Sequence, residues 1–137
     1  MTQAPECSCF PARLGALPQV LGYVRKMCDS SNMSPVAILR IELVIEELFT
    51  NSVRHGYGAD SDALVWLQMI IAPGSLYLVY QDAAPAYDPL QHAAQLSVPV
   101  GNRPVGGLGI HLVRELATDI AYRRTEDRNI LTLTFRT

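Results

Sequence analysis

The stretch Ile38–Gly58, ILRIELVIEELFTNSVRHGYG, decides how this chain is read. Ile38, Ile41, Ile45, Leu48 and Ser52 recur at helical spacing and form one apolar face that ends in a small residue. Glu47 and Asn51 are four positions apart, so their side chains stand one helical turn from each other. Gly56 and Gly58 supply the stop, because glycine enters the left-handed region at little cost. Ser34-Pro35 supplies the start, a capping hydroxyl followed by proline at the first helical position. A carboxylate and a carboxamide one turn apart have a plain explanation as an exposed or capped polar pair. Residues further along the chain change that weighting.

Toward the N-terminus, Leu17, Val20, Leu21, Val24 and Met27 predict a helix over about residues 14–29, with Pro18 near its start. Residues 6–12 contain Pro11 and form at most a brief edge strand. Toward the C-terminus, residues 63–72 and 75–82 are apolar runs joined by Pro73-Gly74, a hairpin signal, and the second run closes on Asp82. Next comes a loop over about residues 83–105, rich in proline (Pro85, Pro89, Pro99, Pro104), with one helical turn near 89–95. Loops of that length are often lids or binding segments. Gly106-Gly107-Leu108-Gly109 then opens a helix carrying Ile110, Leu112, Val113, Leu116 and Ala117. Glycines at a helix N-terminus let backbone N–H groups approach an anion, which the helix dipole also favours. Residues 119–125 and 129–136 make a second hairpin, with Leu131, Leu133 and Phe135 on one face of its last strand. The order predicts an α+β protein, a two-layer α/β sandwich whose mixed, mainly antiparallel sheet carries helices on one face.

With 137 residues, 49% apolar and 18% charged, the chain reads as one domain spanning 1–137. A net charge of −2 gives no global attraction to nucleic acid or anionic membrane, so neither is expected as a direct partner. There is no signal-peptide pattern and no apolar run near the roughly 18 residues of a membrane helix, so a cytoplasmic location is expected. Cys7, Cys9 and Cys28 form no C-x-x-C pair, and His55, His92 and His111 are scattered; reduced structural thiols are the reading. Arg123-Arg124 reads as a solvated strand edge.

Glu47-x-x-x-Asn51 on a helix, an aspartate closing a strand, a proline-rich lid and Gly-x-Gly opening a helix are more specific together than singly. In this order the chain resembles the ATP-binding domain shared by gyrase, heat-shock chaperone, histidine kinase and MutL proteins (GHKL), the Bergerat-type fold. Within it, the chain looks most like the small anti-sigma-factor serine/threonine kinases. The residues that carry the likeness are EELFTNSVRHGY (46–57), QDAAPAYDP (81–89) and VGGLGIHLVREL (105–116).

The resemblance implies roles residue by residue. Asn51 would bind ATP and hold Mg²⁺ through its amide oxygen, and Glu47 would be the catalytic base. Asp82 would accept from the adenine amino group, beside Ala84. Gly107, Leu108, Gly109 and Ile110 would wrap the phosphates, and Arg54 or Arg103 would add positive charge. Tyr87 and His55 read as packing or pocket-lining residues. Where the family has Asp-x-Gly, this chain has Ala84, which predicts weakened nucleotide binding if its methyl crowds the adenine or its backbone needs positive φ.

The implied activity is phosphorylation, from Mg-ATP, of a small anti-sigma-factor antagonist of the STAS type, by a homodimeric kinase that also holds a sigma factor. The alternative is a non-catalytic module that senses nucleotide or sequesters a partner. A detached histidine-kinase domain ranks third, since no phosphoacceptor helix is visible and the chain reads as complete.

Overall fold

Ser34 does what its position predicts: its hydroxyl accepts a hydrogen bond from the Ala37 N–H at 3.2 Å. In the computed structural model, which describes residues 7–92 and 107–137 (of His92 and residues 107–110 the backbone alone), this cap opens helix α2, Pro35–Asn51. Before it come strand β1, Ser8–Pro11, and helix α1, Leu17–Asp29, with Pro18 in its first turn. After it come β2 (Leu64–Ala72), β3 (Ser75–Asp82), the single turn α3 (Pro89–His92), α4 (Gly107–Leu116), β4 (Asp119–Thr125) and β5 (Arg128–Arg136). Most of the expected lid, residues 93–106 with Arg103, lies outside the described residues.

Helix α2 does not stop at a left-handed Gly56. A π-helical turn, Ser52–Gly56, continues it, closed by the bond from the Tyr57 N–H to the Ser52 carbonyl at 2.8 Å. Gly58, at φ 88°, is the residue that needs glycine's freedom.

The strands form one sheet in the order β1-β2-β3-β5-β4, and every neighbouring pair is antiparallel. The expectation of a mixed sheet is refined accordingly. Pro73-Gly74 closes the first hairpin, with Ala72 opposite Ser75 and Gly74 at φ 78°. Glu126 and Asp127 close the second at φ 50° and 61°, the positive values that a two-residue hairpin turn requires at both central positions. The long passage between β3 and β4 lets β5, rather than β4, pair with β3.

Register sorts the side chains. Val65, Asp82 and Asn129 stand in one cross-strand row, Leu67, Tyr80 and Leu131 in the next, then Met69, Leu78 and Leu133. These rows belong to the buried face, where they share one core with Val20 and Val24 of α1 and Ile41, Ile45 and Phe49 of α2. The helices therefore cover one face of the sheet, as predicted, and the row nearest one end of that face is polar. Arg25 of α1 ties to Glu42 of α2 at 2.6 Å, a surface pair of small energetic weight.

Leu78 is fully buried in the central strand. Leu78→Ala is expected to lower unfolding stability by about 2–5 kcal/mol, the usual range for a core leucine that leaves a cavity. A urea midpoint unchanged from the parent protein would contradict that placement.

Candidate functional site

Asp82 and Asn129 close the inner face of the sheet, each only 8% exposed. A buried carboxylate is costly unless donors surround it, and here three do. The Ser52 hydroxyl donates to Oδ2 at 2.6 Å, Asn129 Nδ2 to Oδ1 at 2.8 Å, and the Ala84 N–H to Oδ1 at 3.2 Å. A carboxylate only accepts, so the single Ser52 proton points at Asp82. Tyr80 must then donate toward Ser52, 2.7 Å away, sharing its proton with the Leu48 carbonyl at 3.0 Å. Burial pushes the Tyr80 phenol well above its ordinary value, which keeps it a donor.

Ser52 directly follows Asn51, so the Ser52–Asp82 bond brings the end of α2 against the end of β3. Glu47 and Asn51 lie on the last turns of α2, both half-buried. Among the described residues neither makes a side-chain hydrogen bond or ion pair, in contrast to Glu42 one turn earlier. Among the described residues, then, no cap or ion pair accounts for either side chain. Helix α4 packs against α2 and begins at Gly107, so the backbone of residues 107–110 forms the first turn of a neighbouring helix. The side chains of Leu108 and Ile110 lie outside what is described.

The chain leaving β3 is held on several sides. The Ala83 N–H donates to the Tyr57 hydroxyl at 2.7 Å, and that hydroxyl donates to the Leu64 carbonyl at 2.8 Å. The Ala84 carbonyl accepts from Arg124 Nη1 at 2.7 Å and from Asn129 Nδ2 at 3.2 Å. Asn129 Nδ2 also reaches the Pro85 carbonyl at 3.0 Å, while its Oδ1 accepts from the Tyr87 N–H at 3.1 Å and the Tyr122 hydroxyl at 2.6 Å. Asp88 caps the turn α3 by accepting from the Leu90 N–H at 2.9 Å. Ala84 is 2% exposed, and its φ is not positive. The backbone strain expected of an alanine in a glycine's place is absent.

Arg54 and His55 are exposed on the π turn. Tyr87 is 39% exposed and lies beside Asp88; burial first, then that carboxylate, raise its phenol pKa. Arg123 and Arg124 are exposed on the edge strand β4, as read from sequence, and Arg124 also holds the Ala84 carbonyl. Tyr57, Tyr80, Tyr122 and Asn129 were not singled out by motif. One signal for Asn129 was legible, because it shares the inward alternation of Leu131, Leu133 and Phe135. Of the cysteines, Cys7 and Cys9 are exposed and Cys28 is buried, all as free thiols.

Comparison with known proteins places this arrangement. The histidine kinase-like ATPase domain family matches residues 10–135, and the chain belongs to it. The fold is shared with the structure of the RsbU and RsbW domains of Rv1364c from Mycobacterium tuberculosis, at TM-score 0.69 and 18% identity. That match covers 98% of this chain and 32% of the other, so the chain spans about a third of that protein's length. The SiaB–SiaC complex from Pseudomonas aeruginosa matches at TM-score 0.58 and 13% identity, over 96% of this chain and 89% of that one. The Acinetobacter baumannii histidine kinase AdeS matches at 0.51 and 15%, over 98% and 68%. Curated protein sequences give no match. Among the described residues no helix is long and apolar enough to cross a membrane.

Tyr80 binds its proton more tightly folded than unfolded, so its contribution to stability is complete below about pH 10 and is lost as pH rises through its folded value. Cys28, pushed by burial to about 11, adds a second loss beginning near its ordinary 9.0. Urea midpoints measured from pH 8 to 11 are expected to fall, and Tyr80→Phe to flatten the alkaline part. A slope identical in Tyr80→Phe would remove Tyr80 as its source.

Proposed function

We propose that this protein binds Mg-ATP and transfers its γ-phosphoryl to a serine or threonine hydroxyl of a small partner protein of the anti-sigma-antagonist type. The observation that carries the reading is the Ser52–Asp82 bond, which gathers Asn51, Asp82 and the turn before Gly58 into one place. Family membership supports nucleotide binding. The fold shared with an RsbW domain and with the SiaB–SiaC structure supports the partner-switching form of it.

Each residue has work that its surroundings permit. Asp82 has three protein donors, which leaves about one acceptor position of a carboxylate for a ligand N–H, such as the adenine amino group. The residues fit a magnesium ion carried by phosphates. Among the described residues no three His, Cys, Asp or Glu side chains form a protein-only cage, and magnesium needs only one or two protein oxygens. Asn51, whose amide has no side-chain hydrogen bond among the described residues, would supply one. The ion, when bound, neutralises charge on the phosphates.

Glu47, one turn away, takes the proton of the attacking hydroxyl. The hydroxyl oxygen bonds to the γ-phosphorus as the bond to the β–γ bridging oxygen breaks, and ADP leaves. The backbone N–H groups of the first turn of α4 face phosphate charge in the way that helix N-termini favour. A homodimer, a sigma factor as second partner and a cytoplasmic setting belong to the same proposal.

Calorimetric titration with ATP and with GTP, each with and without Mg²⁺, tests the site first. Mg-dependent binding that prefers ATP is expected; no binding by folded protein would replace the kinase with a partner-binding module that lacks nucleotide. Glu47→Ala is expected to keep ATP affinity within about threefold and to lower transfer by about 10²–10⁴-fold, the usual worth of a general base. Full transfer by that variant would reassign the base. Asn51→Ala is expected to weaken Mg-ATP binding as well as transfer, and equal loss of metal-free ATP binding would argue against a metal-holding role.

A further inference from the structure

We propose that Gly56 and Ala84 are a matched pair of positioning residues, the alanine methyl occupying the space that the missing Cβ of Gly56 leaves open. A Cβ built at Gly56 would stand 2.9 Å from the Ala84 Cβ, closer than two such carbons approach. Its next neighbours would be the Asn51 carbonyl oxygen and Asp82 Oδ2, each at 3.8 Å. One small volume is thus bordered by the end of α2, the Asp82 carboxylate and the Ala84 methyl.

Backbone conformation demands neither residue. Gly56 and Ala84 both lie outside the positive-φ residues of the described chain. Glycine at 56 is required by space alone. Nor can Ala84 slide away from an added methyl. Its N–H is bound to Asp82 Oδ1 at 3.2 Å, and its carbonyl is held by Arg124 at 2.7 Å and by Asn129 at 3.2 Å.

The pairing accounts for the departure from Asp-x-Gly. The Ala84 methyl is spent against Gly56 and the residue is 2% exposed, so the side chain is packed into the protein instead of lying open toward a ligand. With the methyl packed there, Ala84→Gly relieves no crowding of a ligand and opens only a small void beside Gly56. The functional half of the proposal, that the contact sets where Asp82 presents its free acceptor, rests on the nucleotide reading above.

Exchange of the two residues tests it in the 137-residue chain. Gly56→Ala is expected to weaken ATP binding roughly tenfold or more, to erode the preference for ATP over GTP and to lower the urea midpoint. Ala84→Gly alone is expected to change affinity by about threefold or less. In the double variant the nearest remaining neighbours of the Cβ at 56 are the two oxygens at ordinary contact distance. Gly56→Ala/Ala84→Gly is therefore expected to regain affinity, ATP preference and midpoint together.

A double variant as impaired as Gly56→Ala would overturn the pairing. If Gly56→Ala does not fold, recovery of folding in the double variant decides the same question. If no variant and not the parent protein binds ATP, the nucleotide reading fails. The urea midpoints of the four proteins then still show whether the two positions are coupled.

Discussion

A carboxylate placed under the helices at the end of a sheet sets the terms for its surroundings. Isolated, Asp82 would cost several kcal/mol to bury, and the neighbouring polar side chains stand where that cost is met. Asn129 reaches it across the β3–β5 ladder, Ser52 reaches it from the helix, and the Ala84 N–H folds back onto it. Tyr80 then satisfies Ser52, and Tyr122 satisfies Asn129. The network grows outward from one acid, and Asp82, Tyr80 and Asn129 also bond backbone around it.

That dependence runs through strand register. Asp82 faces Asn129 in the ladder, and Asn129 faces Arg124 on the next strand. A slip of one residue would turn Asp82 to the opposite face of the sheet. The apolar rows beneath it prevent this, since Leu67, Met69, Leu78 and Leu133 would leave the core in the same movement. Hydrophobic packing at one end of the sheet thus maintains polar geometry at the other.

Much of this was legible before any coordinates, and the division has a physical basis. Helix starts, hairpin turns and the Glu47–Asn51 spacing are set by residues close in sequence, so Ser34-Pro35 and Pro73-Gly74 were read correctly. The resemblance extended that reading to Asp82 and to the glycines opening α4. The supporting residues were not legible in the same way. Asn129 lies 47 positions from Asp82, and Arg124 lies 40 from Ala84. Their meeting depends on β5 inserting beside β3, which no local pattern dictates. Arg124 looked like a solvated edge because its strand is an edge; only the pairing shows where its guanidinium goes. Ala84 looked like a defect for the related reason that Gly56, 28 positions earlier, is its partner in space.

The π turn after Asn51 is the feature that sequence periodicity gets wrong and the Asp82 network uses. In a continuing α-helix, residues five apart point about 140° away from each other around the axis. Ser52 and Tyr57 are five apart, yet both turn toward the end of the sheet, Ser52 to Asp82 and Tyr57 to Ala83 and Leu64. An i→i+5 turn makes this possible, because its wider winding brings positions five apart back toward one face. The bond that closes it runs between these same two residues, from the Tyr57 N–H to the Ser52 carbonyl. One insertion of winding thus serves two purposes. It presents both hydroxyls to the strand that carries the acid, and it leaves Glu47 and Asn51, on the regular helix before it, in their undisturbed one-turn spacing.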